Sequence, residues 1–208
     1  MEAYLLPARE AEAEFVEKKS RFIGHIWQVE TEQQARACID ATRKRYHDAR
    51  HNCWCYRLTD GTVRYSDDGE PQGTAGQPML NVFERENVQN VVCVVTRYFG
   101  GILLGTGGLT RAYTKGAKDA LDAAGIAQNC VWDLWDIPCS YSLFERVKLE
   151  LAAAEGTIED TQYTDGILLK AAVPENASEP LLTRLQELSA GTVKPTTAGK
   201  IYRAKIIK

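Results

Sequence analysis

The sequence predicts an α+β protein. Residues 91–95 are apolar and mostly β-branched, as in a buried strand, and residues 110–124 repeat apolar side chains at spacings of three and four, as in a helix. A glycine-rich segment joins the two. Residues 137–202 follow a different pattern, in which short strands and two helices occur in the order β-α-β-β-α-β.

The composition changes near residues 129–136, between these two patterns. Each half holds enough strands and helices for a core of its own. We therefore assign residues 1–134 to an N-terminal domain and residues 135–208 to a C-terminal domain. We expect an exposed linker between them, which a protease should cut between residues 127 and 136.

The N-terminal domain begins with a strand or long hairpin arm at residues 14–29, which the polar cluster at residues 18–21 interrupts. Thr31 follows as a helix N-cap. Gln34, three positions later, completes a capping box for a helix that runs to Tyr46.

Two further strands are predicted at residues 52–58 and 62–65, with a turn at Asp60 and Gly61 between them. Residues 66–78 read SDDGEPQGTAGQP, a loop rich in glycine and proline. The loop is too long to be a simple connection, and loops of that length are often functional.

The C-terminal domain is predicted from six short elements. Their order fits a ferredoxin-like sandwich. The predicted strands are residues 137–141, 157–163, 167–173 and 192–202, and the predicted helices are residues 143–154 and 179–188.

The segment at residues 97–113, RYFGGILLGTGGLTRAY, carries five glycines between the buried strand and the helix. Glycine has no Cβ and permits positive φ, so successive main-chain N–H groups can turn toward one anion. The start of a helix also favours negative charge. We therefore expect the main chain to approach an anionic partner at Gly100, Gly101, Gly105, Gly107 and Gly108.

The overall charge of the chain limits how much of its surface could bind an anionic partner. The chain holds 25 basic and 28 acidic residues among 208, and the resulting net charge of −3 argues against an indiscriminate positive coat for nucleic acid. Charge is uneven, however. Residues 43–50 are basic with a single acid, and residues 97–118 and 192–208 are basic with none.

The chain shows no features of a secreted or membrane protein. The first residues lack the basic start and apolar core of a signal peptide, and no apolar run approaches the roughly 20 residues of a membrane helix. Its six cysteines lack the density of a disulfide scaffold. We expect a cytoplasmic protein with free thiols.

Three blocks of sequence resemble the YigZ-like, or IMPACT, family. They are ARHNC at residues 49–53, SDDGEPQGTAGQPML at residues 66–80 and VVTRYFGGILLGTGGLTRAY at residues 94–113. The blocks lie in order with family-like gaps, and the resemblance covers the whole chain.

The resemblance implies an N-terminal domain with the ribosomal-protein and elongation-factor domain IV fold, and a C-terminal domain similar to the ferredoxin-like domain V of elongation factor G. It also implies regulation of translation, because eukaryotic members act through the activator of a kinase that phosphorylates an initiation factor. Those members carry an added N-terminal domain for that partner, so the partner is not transferred to this chain.

Histidines and cysteines raise two chemical alternatives. Zinc would suit His47, His51, Cys53 and Cys55, but neighbours two apart on a strand rise about 6.6 Å and no distant CxxC or HxxxH motif supplies further ligands. A Cys53 nucleophile would need a stabilised thiolate and an oriented histidine. The simpler interpretation is that Cys53 and Cys55 are buried and His51 is a hydrogen-bonded structural residue. We expect no metal and no cofactor.

Asp67, Asp68 and Glu70 place three carboxylates in the glycine-rich loop. They could hold a magnesium ion, or act as turn formers that hydrogen-bond their own backbone. They could also accept arginines from within the protein, for instance Arg97 or Arg111.

The glycine segment does not complete a nucleotide-binding motif. It lacks the Gly-Lys-Ser/Thr ending of a P-loop, and no acidic residue follows at the spacing of a dinucleotide motif. A phosphorylated ligand stays an alternative, because the superfamily implied by the resemblance includes small-molecule kinases. A structural alternative is that the glycines let the helix pack closely on the sheet.

We expect a non-enzymatic, translation-associated regulator that binds RNA or the ribosome through a basic face. Arg97, Arg111 and Lys115 add charge without a neighbouring acid, and Tyr98 or Phe99 offers a stacking surface. Arg50, His51 and the five glycines complete this face, and a protein partner in translation control is also expected. The alternative is an enzyme that acts on a small phosphorylated substrate with a divalent cation held by the loop carboxylates.

Overall fold

The computed structural model describes residues 3–207 and confirms a mixed α+β protein. Its contacts divide the chain into two compact units, residues 4–128 with 205–207 and residues 129–204, called here the N-terminal and C-terminal units. Among the described residues the strands are β1 Tyr4–Pro7, β2 Ala11–Glu17, β3 Ser20–Gln28, β4 His51–Arg57, β5 Val63–Ser66, β6 Val91–Tyr98, β7 Ile126–Cys139, β8 Thr157–Tyr163, β9 Ile167–Pro174 and β10 Thr196–Ile206. The helices are α1 Glu32–Arg45, α2 Gly76–Arg85, α3 Gly105–Ala124, α4 Phe144–Ala153 and α5 Glu175–Leu188.

The N-terminal unit has three layers. An antiparallel sheet of order β2-β3-β6-β4-β5 is the middle layer, and helices cover both of its faces. Successive side chains of a strand point to opposite faces, and β6 shows which helices cover each face. Val92 and Val94 join the core under α1. Val91 and Val95 join the core under α2 and α3.

The predicted arm at residues 14–29 is a hairpin of β2 and β3. Lys18 and Lys19 form its turn and have φ angles of 44° and 63°. A two-residue turn with positive φ at both positions matches the twist of the strands it joins. The basic cluster that interrupts the strand pattern in the sequence is therefore the turn itself.

Helix α1 begins as predicted. The Thr31 hydroxyl accepts the Gln34 main-chain N–H at 3.2 Å, and the Gln34 side chain accepts the Thr31 N–H at 3.2 Å. This capping box satisfies two N–H groups that have no partner inside the helix.

The predicted loop at residues 66–78 is too long at its C-terminal end, because α2 begins at Gly76. The Asp67 carboxylate accepts the main-chain N–H groups of Ala75 and Gly76 at 3.0 and 2.8 Å, so it serves the unpaired N–H groups at the start of this helix. Pro78 does not prevent the helix, because proline is tolerated in the first turn.

Helix α3 begins at Gly105, five residues before the predicted start at residue 110. Gly105, Gly107 and Gly108 therefore lie in the helix rather than in the turn before it. The close helix–sheet approach occurs further along. A Cβ at Gly24 of β3 would lie 2.4 Å from the main-chain oxygen of Gly116 in α3, so neither strand nor helix could keep its position with a larger residue.

The C-terminal unit confirms the predicted element order, with β7, α4, β8, β9, α5 and β10 in succession. Its strands are arranged β7-β9-β8, and β10 pairs with β7 on the other side. The core lies between the sheet and the two helices; it includes Ile137, Val147, Leu169, Leu181 and Leu185.

Three elements of this half, β7, α5 and β10, clearly differ in their bounds from the prediction. Residues 127–136, expected as an exposed linker, lie within the single strand β7. Val131, Trp132 and Trp135 explain the difference, because β-branched and aromatic residues favour strands. Helix α5 begins at Glu175 instead of residue 179, and β10 spans Thr196–Ile206 instead of residues 192–202.

No helix within residues 3–207 combines the length and the apolar composition that a membrane crossing requires.

Candidate functional site

Two clefts lie beside the start of α3, and Leu104 lines both. The first cleft has a volume of about 400 Å³ and the second about 260 Å³. The first cleft is lined by Arg50, His51, Gly69, Glu70, Pro71, Arg97, Phe99, Leu103, Leu104, Gly105, Thr106 and Leu109. The second is lined by Phe15, Glu17, Lys18, Leu104, Gly108, Arg111, Ala112 and Lys115.

The predicted site residues are thus divided between two neighbouring depressions. Arg50, His51, Arg97 and Gly105 line the first cleft. Gly108, Arg111 and Lys115 line the second. Strand pairing brings His51 and Arg97 together, since they are directly opposite each other in β4 and β6.

A buried network forms the floor of the first cleft. Arg97 is 5% exposed, and its Nη1 donates to Glu70 Oε1 at 2.7 Å. The Tyr113 hydroxyl donates to the same oxygen at 2.8 Å. Burial, with Cys53 and Glu70 nearby, raises the pKa of Tyr113 far above its usual range, so this phenol stays a donor.

The proposal that the loop carboxylates accept an internal arginine is therefore confirmed for Arg97. Its Nη2 also approaches Ser20 Oγ at 3.4 Å, and the guanidinium lies 5.5 Å from the ring centres of Phe22 and Phe99. The expectation that Arg97 has no neighbouring acid is wrong, because Glu70 of the loop at residues 66–75 pairs with it in the folded chain.

The other two loop carboxylates have partners of their own. Asp67 accepts main-chain N–H groups at the start of α2. Asp68 accepts the Asn52 N–H at 2.7 Å and Arg43 Nη2 at 2.7 Å. Each carboxylate is engaged separately, and no three His, Cys, Asp or Glu side chains of residues 3–207 gather as a metal-binding group.

His51 is held in one orientation. Its Nδ1 lies 2.8 Å from the main-chain oxygen of Asp68. A carbonyl oxygen only accepts, so Nδ1 carries the hydrogen and, in the neutral ring, Nε2 carries the lone pair. Nε2 lies 3.9 Å from Glu70 Oε1. The interpretation of His51 as a hydrogen-bonded residue is confirmed, and one ring nitrogen is left with an unused lone pair.

The cysteines are buried, as the simpler interpretation predicted. Cys53 and Cys55 have no exposed surface, and Cys53 Sγ donates to the main-chain oxygen of Asp67 at 2.9 Å. Burial raises the pKa of both thiols well above the usual range. A thiolate nucleophile requires a lowered pKa, so this environment opposes the Cys–His alternative.

Gly100 and Gly101 lie in the connection between β6 and α3. A Cβ at Gly100 would lie 2.0 Å from the main-chain carbon of Lys19, and its N–H donates to Ser20 Oγ at 3.2 Å. The close main-chain approach at Gly100 is thus to the β2–β3 turn. Gly101 has a φ of 83°, which favours glycine.

The start of α3 is open. No side chain caps it, and its first turn contains no acidic residue. Gly105 and Thr106 of this turn line the first cleft. The main-chain N–H groups at a helix start lack partners within the helix and favour an anion.

The cations around the clefts fall into two groups. Lys115 pairs with Asp119 at 2.5 Å, contrary to the expectation that it lacks a neighbouring acid. By contrast, Lys18, Arg50 and Arg111 are exposed and make no ion pair with any residue in the described range 3–207.

Tyr98 lies apart from both clefts. Its hydroxyl donates to Asp48 Oδ1 at 2.7 Å, and Arg21 lies 5.7 Å from its ring centre. Phe99, in contrast, lines the first cleft and is 42% exposed. Of the two aromatic residues proposed for stacking, Phe99 has the accessible position.

Sequence reasoning missed Lys18, Ser20 and Tyr113 as parts of this region. Lys18 and Ser20 belong to the polar cluster at residues 18–21, and Tyr113 ends the glycine segment. Their part in the site was hidden because strand pairing and helix packing bring them to this region. Glu70 was recognised only as one of three loop acids. No local signal marked its burial, because its neighbours Pro71 and Gln72 are residue types that are mostly exposed.

Comparisons with known proteins match both halves of the chain. The family profile described as the Impact N-terminal domain matches residues 18–121, and the profile described as a domain of unknown function (DUF1949) matches residues 137–192. The IMPACT family member YvyE of Bacillus subtilis is 34% identical over 193 residues, which cover 92% of this chain and 89% of that protein. YigZ of Escherichia coli, also an IMPACT family member, is 34% identical over 198 residues, which cover 93% and 97%.

A solved structure is similar over nearly the same length. It is described as the crystal structure of an hypothetical protein, is 33% identical and has a TM-score of 0.60. The match covers 94% of this chain and 97% of that one.

Proposed function

The chain belongs to the IMPACT family, and from that premise we propose that it is a non-enzymatic regulator associated with translation, which binds RNA, alone or in the ribosome. The family resemblance supports the link to translation. The surface around the two clefts supports RNA as the ligand. Of the face predicted from the sequence, Arg50, His51, Gly105, Gly108 and Arg111 line these clefts.

One observation carries the proposal: exposed, unpaired cations surround an open helix start. Lys18, Arg50 and Arg111 have no carboxylate partner among residues 3–207. Placing cations without partners in a chain of net charge −3 favours a negatively charged ligand at this position. Phosphates bind both to Lys and Arg side chains and to helix N-termini.

The exposed apolar side chains at the same place favour single-stranded RNA over a lone anion. Phe99 is 42% exposed and Leu103 is 81% exposed. Unstacked bases of single-stranded RNA pack on such side chains, whereas a duplex hides its base faces.

The alternative of a cation-dependent enzyme has less support. Asp67 and Asp68 accept main-chain N–H groups, and Glu70 accepts Arg97 and Tyr113. All three carboxylates therefore have structural partners. The Cys53 thiol, considered above as a nucleophile, is buried and has a raised pKa.

Three further parts of the proposal follow from the family resemblance. The N-terminal unit would share the ribosomal-protein and elongation-factor domain IV fold, and the C-terminal unit the ferredoxin-like fold of elongation factor G domain V. The observed order β-α-β-β-α-β supports the second assignment. The protein would act in the cytoplasm, with a protein partner in translation control.

Fluorescence anisotropy with a single-stranded RNA oligomer tests the binding surface. Arg111→Ala and Lys18→Ala should each weaken binding at low salt and reduce the slope of log affinity against log salt by about 0.7, the value for one phosphate contact on a single strand. Arg36→Ala is the matched control. It removes the same charge from α1, on the opposite face of the sheet, where Arg36 pairs with Glu32.

Equal affinity in wild type, Arg111→Ala and Lys18→Ala would contradict the proposed surface. Equal losses in all three variants would show a general charge effect and would contradict it as well. A pull-down from cell extract, with and without ribonuclease, then separates RNA from protein partners. Some components of the extract will bind to wild type and not to Arg111→Ala. The proposal requires that ribonuclease release most of these components from wild type.

A further inference from the structure

We propose that the first cleft is a pocket for a single unstacked nucleobase that carries an exocyclic amino group. This proposal rests on the proposed function. It adds a preference among bases to an RNA-binding surface that the preceding subsection inferred mainly from exposed cations. Adenine, guanine and cytosine carry such a group, and uracil does not.

The volume and the lining of the cleft allow it to hold one base. Its volume of about 400 Å³ lies in the range of about 300–1,000 Å³ that small-molecule pockets occupy. Its walls include the apolar side chains of Pro71, Phe99, Leu103 and Leu104. Phe99 offers an aromatic surface on which any base can stack.

The floor presents two hydrogen-bond acceptors and, at Arg97 Nε, one buried donor that has no hydrogen-bond partner among residues 3–207. His51 donates from Nδ1 to the Asp68 carbonyl, so in the neutral ring its Nε2 carries an unused lone pair. Glu70 receives both of its donors on Oε1, which leaves Oε2 without a hydrogen-bond partner among residues 3–207. Both side chains line the cleft, and both are mostly buried.

A ligand that displaces water from these two acceptors must supply N–H donors, because a buried polar group without a partner is destabilising. An exocyclic amino group has two such hydrogens. Uracil instead presents two carbonyl oxygens beside a single imino N–H. Arg97 Nε can donate to one of these oxygens, and the other would face an acceptor. The floor therefore selects against uracil.

The same floor argues against two other ligands. A phosphate at this depth would face the Glu70 carboxylate and, in the neutral ring, the His51 lone pair, while the charge of Arg97 is already balanced by Glu70. A metal cation would face the Arg97 guanidinium, 2.7 Å from Glu70. The phosphate of the bound nucleotide fits at the rim, where Arg50 and the start of α3 line the same cleft.

Isothermal titration calorimetry with the four 5′-mononucleotides tests the pocket on the full-length protein. We expect the adenine, guanine and cytosine nucleotides to bind about tenfold more tightly than the uracil nucleotide, which corresponds to one additional hydrogen bond to a buried group. Uracil binding of equal strength would overturn the proposal.

Two variants separate the floor from the walls. His51→Asn places an amide N–H where Nδ1 donates to Asp68 but removes the acceptor at Nε2, so the preference for amino-bearing bases should fall toward unity. Phe99→Ala should weaken all four nucleotides about tenfold and leave the preference unchanged, because stacking does not distinguish bases. A preference unaltered in His51→Asn would contradict the role of the floor.

Phe99 is exposed, so its variant tests the pocket even if His51→Asn fails to fold. Unchanged binding in Phe99→Ala would contradict the pocket. Titrations of equal-length oligoadenylate and oligouridylate separate the two proposals. Equal RNA binding would overturn the base pocket and leave the proposed function intact. Selective mononucleotide binding without oligomer binding would support the pocket and overturn the proposed function, and no binding would overturn both.

Discussion

Several basic residues of the two units differ in whether they have a carboxylate partner. In the C-terminal unit, Lys200 lies 3.3 Å from Asp133 and 2.5 Å from Glu175, and Arg203 lies 2.8 Å from Glu159. In the N-terminal unit, Arg111 and Arg50 make no ion pair with any residue from 3 to 207. Residues 97–118 and 192–208 are both free of acids in the sequence. Only the folded chain shows which of their cations have partners and which are available to a ligand.

The units differ also in the depth of their arginine–glutamate pairs. The side chains of Arg97 and Glu70 are 6% and 4% exposed, whereas those of Arg203 and Glu159 are 32% and 39% exposed. Loss of one partner from a buried pair leaves a charge away from water, while an exposed partner is hydrated. The two pairs should therefore respond very differently to the same chemical change.

The largest effect is expected for Glu70→Gln. It should lower the free energy of unfolding by about 3 kcal/mol, because the Arg97 charge loses its buried partner. Glu159→Gln is the matched control and should change it by less than about 1 kcal/mol. Urea unfolding of both variants gives the comparison. Equal destabilisation by the two changes would contradict the contrast between the units.

Tight helix–sheet packing provides the second comparison. Gly24→Ala should destabilise the protein by about 1–3 kcal/mol, because a Cβ there would lie 2.4 Å from the Gly116 oxygen and force α3 away from β3. Gly166→Ala in the C-terminal unit is the control, since its Cβ would meet the Cys139 oxygen at 3.3 Å. Thermal unfolding measures both. If Gly24→Ala proves as mild as its control, α3 can shift freely on the sheet.

Local signals made much of the fold predictable. The capping box of Thr31 and Gln34 defines the start of α1, and the β-branched run at residues 91–95 identifies β6. Helix α2 was missed because its start depends on Asp67, which lies nine positions before Gly76 and accepts its N–H. A cap from so far away leaves no pattern that local capping rules recognise.

The sequence predicted which types of residue form the candidate site, but it did not predict which of these residues contact one another. Arg97 was recognised as basic and Glu70 as acidic, but the distance of 27 residues between them hides their contact. The contact depends on the pairing of β4 with β6, which places His51 opposite Arg97. Register is a property of the whole sheet, and no window of sequence contains it.

The buried residue His25 should make the stability of the N-terminal unit depend on pH. His25 is 3% exposed, its Nε2 has no hydrogen-bond partner, and Glu12 and Arg45 are the charged groups near it. Burial lowers the pKa of His25, although the Glu12 carboxylate opposes this effect. The unfolded chain then binds a proton below about pH 6.5 that the folded chain does not, so stability should fall as pH decreases.

The contribution of His25 to this slope should not exceed about 1.4 kcal/mol per pH unit, the value for one proton. Urea unfolding of wild type and His25→Gln between about pH 7 and 5 measures it, and the variant should show the smaller slope. Identical slopes in the two proteins would show that His25 titrates in the folded state as it does in the unfolded one.

The smallest effect is expected for the exposed pair of Glu159 and Arg203 in the C-terminal unit. Its contribution to the free energy of unfolding should decrease as the pH falls, which is the opposite of what a raised pKa would give. Hydrogen bonds from Arg203 and Thr157 lower the pKa of Glu159 from 4.5 to about 2. The pair therefore stabilises the fold above about pH 4.5, and this contribution is lost as pH falls toward 2. Because Glu159 is 39% exposed, solvent screening should hold the contribution below about 1 kcal/mol. The difference in unfolding free energy between wild type and Glu159→Gln should thus be small near neutral pH and should diminish toward pH 2. A difference that grows on acidification would contradict a lowered pKa.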